Sequence, residues 1–162
     1  MAKKKSWREK LMDKKDLPRV EKITLKMSKR WGSGTVAIPA PIEIDEIMKK
    51  VLKGKLITIN ELRAIIAKKH DATIGCPMTT GIFAWIAANA ADEEALGGKK
   101  RITPYWRTLK TGGELNPKYP GGIEYQTLQL ESEGHKIIKK GRKYFVEDHE
   151  KSLVKIEKLL PA

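Results

Sequence analysis

The segment LITINELRAIIAKKHDATIGCPMTTGIFAWIAANAADEEAL (Leu56–Leu96) constrains the fold most, because two helical periodicities stand in it with only a few residues between them. It opens on a short strand-like run. Thr58 and Glu61 then form a Thr-x-x-Glu capping box ahead of Leu62, Ile65 and Ile66, in which the two side chains satisfy each other's free backbone donors. Pro77 suits the first turn of the second helix, where its missing N–H costs nothing. Ile82, Phe83, Ile86 and Ala90 are predicted to share one face of that helix. Two helices this close, the second rich in small residues, make the pattern of a helix-turn-helix. Small side chains at Gly81, Ala84, Ala87 and Ala88 permit close approach to another surface, either DNA or a neighbouring helix.

The flanks fill out a small domain. EIDEIMKKVLKG places Ile44, Ile47, Met48 and Val51 at helical spacing and stops at Gly54. GSGTVAIPAPIEI (Gly32–Ile44) reads as a boundary, with Pro39 and Pro41 favouring extended backbone. KIIKKGRKYFV predicts a hairpin turning near Gly141. A last amphipathic helix is expected over Glu147–Leu160, carrying Leu153, Ile156, Leu159 and Leu160. Helices followed by a basic hairpin resemble a winged helix-turn-helix, with Lys139, Lys140, Arg142 and Lys143 on the wing. The expectation is a mainly α fold with a small β wing in three parts: a basic N-terminal arm (1–33), a winged-helix domain (34–146) and a C-terminal helix (147–162).

Charge narrows the partner. Of the net +13, residues 1–33 contribute +8, from twelve Lys and Arg against four Asp and Glu. A basic arm on a mildly basic body suits a polyanion, since each neutralised phosphate releases counterions. The arm is expected to lie on the body or on that partner. No run is apolar for long enough to span a bilayer, and MAKKKSWREKLMDKK lacks the apolar stretch of a secretory signal. One cysteine, Cys76, and three scattered His leave no disulfide and no metal cluster to expect. The expectation is a cytoplasmic protein, nucleoid-associated if bacterial, with no cofactor, no metal and no membrane partner.

The most specific stretch is TPYWRTLKTGGELNPKYPGGIEYQTLQLESEGH (Thr103–His135). Its Pro-x-x-Arg, Gly-rich loop, Tyr-x-Gly-Gly and Glu-Gly-His are spaced as in the active-site loop of the O6-alkylguanine-DNA alkyltransferases. From about Ile42 to His135 the chain resembles that family's DNA-binding domain, and more closely its cysteine-less relatives, the alkyltransferase-like proteins. The resemblance implies a winged helix-turn-helix of alkyltransferase C-terminal-domain type. It also implies binding to duplex DNA, including damaged duplex, with an unidentified repair protein as a further candidate partner.

In the working enzymes the motif is Pro-Cys-His-Arg, where the Cys takes the alkyl group and the His helps to form the thiolate. Here it reads Pro104, Tyr105, Trp106, Arg107. A phenol with a pKa near 10 and an indole that only donates cannot replace that pair. The resemblance therefore implies a non-catalytic protein with Tyr105, Trp106, Tyr119 and Glu133 around a base pocket. Its implied DNA contacts are Pro77, Thr79, Thr80, Gly81, Ala84, Asn89, Arg107 and the wing cations. Thr80 stands where the family places an Arg that enters the base stack, and Ile59 where it has a Tyr. Cys76, at the start of the second helix, lies away from the acceptor position. Two rival readings stand beside this one. The first is an enzyme of another class using Tyr105, Glu133 and Arg107 for acid–base work. The second is an RNA- or protein-binding winged-helix adaptor.

Overall fold

The structure, a computed structural model, describes residues 5–160. In chain order the elements are α1 (Trp7–Met12), β1 (Arg19–Lys22), α2 (Leu25–Trp31), β2 (Thr35–Ile38), α3 (Pro41–Lys49), β3 (Ile57–Thr58), α4 (Ile59–Lys69), β4 (Ile74–Gly75), α5 (Pro77–Leu96), β5 (Thr108–Leu109), α6 (Gly122–Ser132), β6 (Ile137–Lys140), β7 (Lys143–Val146) and α7 (Ile156–Leu159). One sheet runs β1-β2-β4, antiparallel then parallel. Two two-stranded sheets are the parallel pair β3-β5 and the antiparallel hairpin β6-β7. Among the described residues no helix is long and apolar enough to cross a membrane.

The main core lies between α3, α4 and α5, where Ile44, Met48, Leu62, Ile65 and Ile66 meet a row of small residues on α5. That row is Thr80, Ala84, Ala87, Ala88 and Ala91, all buried. The buried face of α5 is therefore the alanine face, Ala90 included; of the residues the periodicity grouped with Ala90, Phe83 and Ile86 are partly buried against the core and Ile82 is exposed. The reason is steric: without bulk at these positions the α3 and α1 backbones can approach α5 closely, and that dispersion contact outweighs burying larger side chains on a more distant surface.

Residues 5–33 lie on the body, one of the two placements expected of the arm, and contribute to its core. Leu11 of α1 is fully buried in the main core, and Trp7 packs edge-on against Trp85 of α5, centroids 4.8 Å apart. The Glu93 carboxylate accepts the Trp7 and Arg8 N–H groups (3.0 and 3.2 Å), filling orphan donors at the start of α1. No boundary falls at 33/34. β1 pairs with β2 from Arg19↔Ile38 to Lys22↔Thr35, and β2 is the buried middle strand of its sheet. Met1–Lys4 lie outside the described residues.

Several local signals hold. The Thr58 N–H and hydroxyl both donate to Glu61 (2.8 and 2.7 Å), Pro77 is the first residue of α5, and the hairpin turns at Gly141 with φ +63°. Others shift. α3 begins earlier, at Pro41, and ends at Lys49, short of Gly54. The helix expected over Glu147–Leu160 is replaced by a 3₁₀ turn at His149–Ser152, an extended piece, and the single turn α7. Leu56 enforces this by accepting the Val154 N–H and donating to the Ser152 carbonyl, both at 2.9 Å. Ala162 and Pro161 lie outside the described residues.

Candidate nucleic-acid interface

The Pro104–Arg107 motif folds into a short 3₁₀ turn held from three sides. Before it, the Thr103 hydroxyl donates to the buried Asp45 carboxylate of α3 at 2.6 Å. Behind it, the buried Gln126 amide donates to the Trp106 carbonyl (3.3 Å) and accepts the Asn116 N–H (2.9 Å), tying the turn and the loop after it to α6. Arg107 closes the third side. Its guanidinium donates to both Glu133 oxygens (2.7–3.1 Å) and to the Val51 carbonyl (2.7 Å), joining the ends of α3 and α6.

Glu133 sits at the C-terminal end of α6, where the helix dipole disfavours an anion. Burial pushes its carboxyl upward. Arg107 and the Trp106 indole, which donates at 3.0 Å, outweigh that and hold it below the usual carboxylate range. Arg107 is thus committed to the interior and is not free for a phosphate.

Tyr105 is buried and anchors a four-ring cluster, with Trp106 at 5.5 Å, Tyr119 at 5.7 Å and Tyr125 at 6.1 Å between centroids. Its phenol donates to the Pro120 carbonyl. Burial drives the Tyr105 and Tyr119 phenols well above the ordinary phenol pKa, so neither supplies a phenolate near neutral pH. The four residues expected to line a base pocket are instead mainly a packed interior. The Tyr and Trp side chains fill this volume themselves.

An open space does exist one layer further out. A cleft of about 590 Å³ lies between the first turns of α5 and the loop 110–119. Pro77, Met78, Gly81, Ile82 and Trp85 make one wall and Asn116, Pro117 and Tyr119 the other, with Ile59, Thr111 and Glu114 also lining the space. Lys110 and Lys118, both exposed, stand on its rim. Trp85 spans the two walls, donating its indole N–H to the Lys118 carbonyl at 3.1 Å. Next to the loop stands the β6-β7 hairpin, joined where Leu115 N–H donates to the Tyr144 carbonyl at 2.8 Å. Lys139, Lys140, Arg142 and Lys143 are exposed on it.

The remaining expected contacts divide. Pro77 and Gly81 reach the cleft. Thr80 and Ala84 do not: both are fully buried, and the Thr80 hydroxyl donates to the Cys76 carbonyl one turn back. Thr79 is half-buried, and its hydroxyl has no hydrogen-bond partner. Asn89 spends its amide within α5, on the Trp85 carbonyl (2.9 Å). Cys76 is buried beside Ile23 and Val36. Met78, Trp85, Lys110 and Lys118 went unpredicted. The alanine stripe was the available signal: once it is the packed face, Met78, Ile82 and Trp85 at i, i+4 and i+7 must face outward.

The site is therefore a closed aromatic centre beside an open, mainly apolar cleft with lysines on its rim. No protein-family model matches the chain, and no curated protein matches it. Among solved structures it is similar to Atl1 of S. pombe, an alkyltransferase-like protein, in a crystal structure with damaged DNA containing O6-carboxymethylguanine. The two are 16% identical, over 71% of this chain and 94% of that one, with a TM-score of 0.47.

Proposed function

We propose that this chain is a non-catalytic, alkyltransferase-like protein that binds duplex DNA and receives an unstacked base in the cleft between α5 and loop 110–119. The observation that carries this reading is the cleft itself. Its apolar walls and aromatic Trp85 and Tyr119 suit a base, for which aromatic contact is worth about 1–3 kcal/mol whatever its identity. Its rim carries Lys110 and Lys118, and the adjoining hairpin adds four cations, so phosphates on either side would be neutralised. In this arrangement α4 and α5 act as the helix-turn-helix and β6-β7 as the wing. Tyr105 and Trp106 serve as the filled floor beneath the cleft, not as its lining.

Acid–base catalysis by Tyr105, Glu133 and Arg107 finds no support in this geometry. The phenol is donated to a carbonyl, and the carboxylate is occupied by the guanidinium and the indole. The test is titration of the protein at fixed salt against an intact duplex, the same duplex with O6-methylguanine, and a matched RNA duplex, followed by intact-mass analysis. Tighter binding to the modified DNA is expected, by about tenfold, since a weakened pair lowers the cost of extrusion. No methyl-sized gain in mass should appear. Equal binding to all three, or a methyl adduct on the protein, would overturn the reading.

A further inference from the structure

Met78 and Ile82 project from successive turns of α5 at the mouth of the cleft, 66% and 49% exposed. Two large apolar side chains at i and i+4 on a helix form one contiguous surface. The helix cannot rotate to bury them, because its opposite face is locked by alanines against α3 and α1. Across the cleft stand Lys110 and Lys118, with the Glu114 carboxylate beside them in long, 3.8 Å pairings to Lys110 and Lys143, so cations outnumber anions there. The surface complementary to this set is an apolar slot flanked by anions. The space between adjacent base pairs of a duplex has that chemistry, and apolar side chains including Met and Ile enter it in proteins that kink DNA. Met suits such a slot because its unbranched, polarizable side chain adapts to irregular gaps. Thr80, the residue expected at the base stack, is buried and cannot serve.

We infer that Met78, seconded by Ile82, is an apolar wedge that enters the base stack beside the cleft and holds the space left by the extruded base. The inference rests on the cleft as the site that receives that base. It makes the Met78 and Ile82 side chains at the mouth responsible for unstacking and the space beside Gly81 responsible for capture.

The test uses a duplex with 2-aminopurine in a mismatch, whose fluorescence rises on unstacking, at saturating full-length protein. Three variants are compared with the wild type: the double variant Met78→Ala, Ile82→Ala; Met78→Leu; and Gly81→Phe, which fills the cleft. Met78 and Ile82 are exposed, Gly81 is half-buried with open space beside it, and circular dichroism verifies folding. The expected result is a severalfold fluorescence rise with wild type and Met78→Leu. The double variant should lose most of that rise, which Met78→Leu keeps. A double variant that keeps the full rise, while Gly81→Phe abolishes it, overturns the wedge and leaves the cleft standing. No rise with the wild type overturns both.

Discussion

Replacing Glu133 by Ala should destabilise the fold by about 3–5 kcal/mol, the cost of leaving the Arg107 cation buried without its partner. The two side chains are only 13% and 5% exposed, so solvent cannot take over. Arg107 also holds the Val51 carbonyl, so its displacement should loosen the junction of α3, the aromatic turn and α6 together. Glu133→Gln should cost less, since an amide oxygen still accepts from Trp106 and Arg107. The pH dependence carries a definite sign. Glu133 titrates lower in the folded chain than in the unfolded one, so its contribution is complete above the unfolded value of about 4.3 and fades as pH falls through the folded value. His135 adds to acid sensitivity from higher pH. Burial lowers its pKa, Glu133 pulls it up, Arg107 pushes it down, and the net shift is downward. Its stabilising contribution is therefore complete above the unfolded value of about 6.5 and is lost below it. In denaturant melts the gap between wild type and Glu133→Gln should narrow below about pH 4. A gap constant from pH 7 to pH 3 would contradict the ion pair.

Leu11→Ala should cost about 2–5 kcal/mol, a core-sized loss from a segment whose composition reads as a solvated arm. Leu11 is 1% exposed and packs with α3 and α5 in the main core. The six-residue helix carrying it is too short to persist alone, so it depends on that contact, on Trp7 against Trp85 and on the Glu93 cap. At about 2–4 °C per kcal/mol for a chain of this size, the melting temperature should fall by several degrees or more. Deleting residues 1–33 should then unfold much of the protein instead of merely flattening the salt dependence of DNA binding. A Leu11→Ala melt within about 1 °C of wild type would mean that α1 is a loosely attached arm after all.

What could be read from the sequence was local. The capping box at Thr58 and Glu61, the Pro77 helix start and the Gly141 turn each depend on a few neighbouring residues, and each is in place. Pairings between distant segments were not legible. RVEK has none of the apolar alternation that marks a strand, yet it forms β1 because β2 offers it an edge. The apolar spacing of Leu153, Ile156 and Leu159 fits a helix, but the backbone groups of Leu56 hold the chain extended there. In the site, the motif spacing located the loop while residue size decided its use. The aromatic side chains of that turn close its interior, and the open space lies further out, at the face of α5 that carries Met78 and Ile82.

Gly81 offers the most direct measurement of whether that cleft takes a base. It lies inside α5, and a Cβ built there meets nothing within 4 Å. Gly81→Phe should therefore place a ring in the cleft without disturbing the packed alanine face, and losing a mid-helix glycine should raise helix stability by some tenths of a kcal/mol. The measurement is a paired titration of wild type and Gly81→Phe, at fixed salt, against intact and O6-methylguanine duplexes. The preference of the wild type for modified DNA should fall in the variant to within about twofold of none, while affinity for intact duplex, set by the Lys and Arg contacts, stays nearly unchanged. A variant that keeps the full preference with its cleft filled would contradict the account.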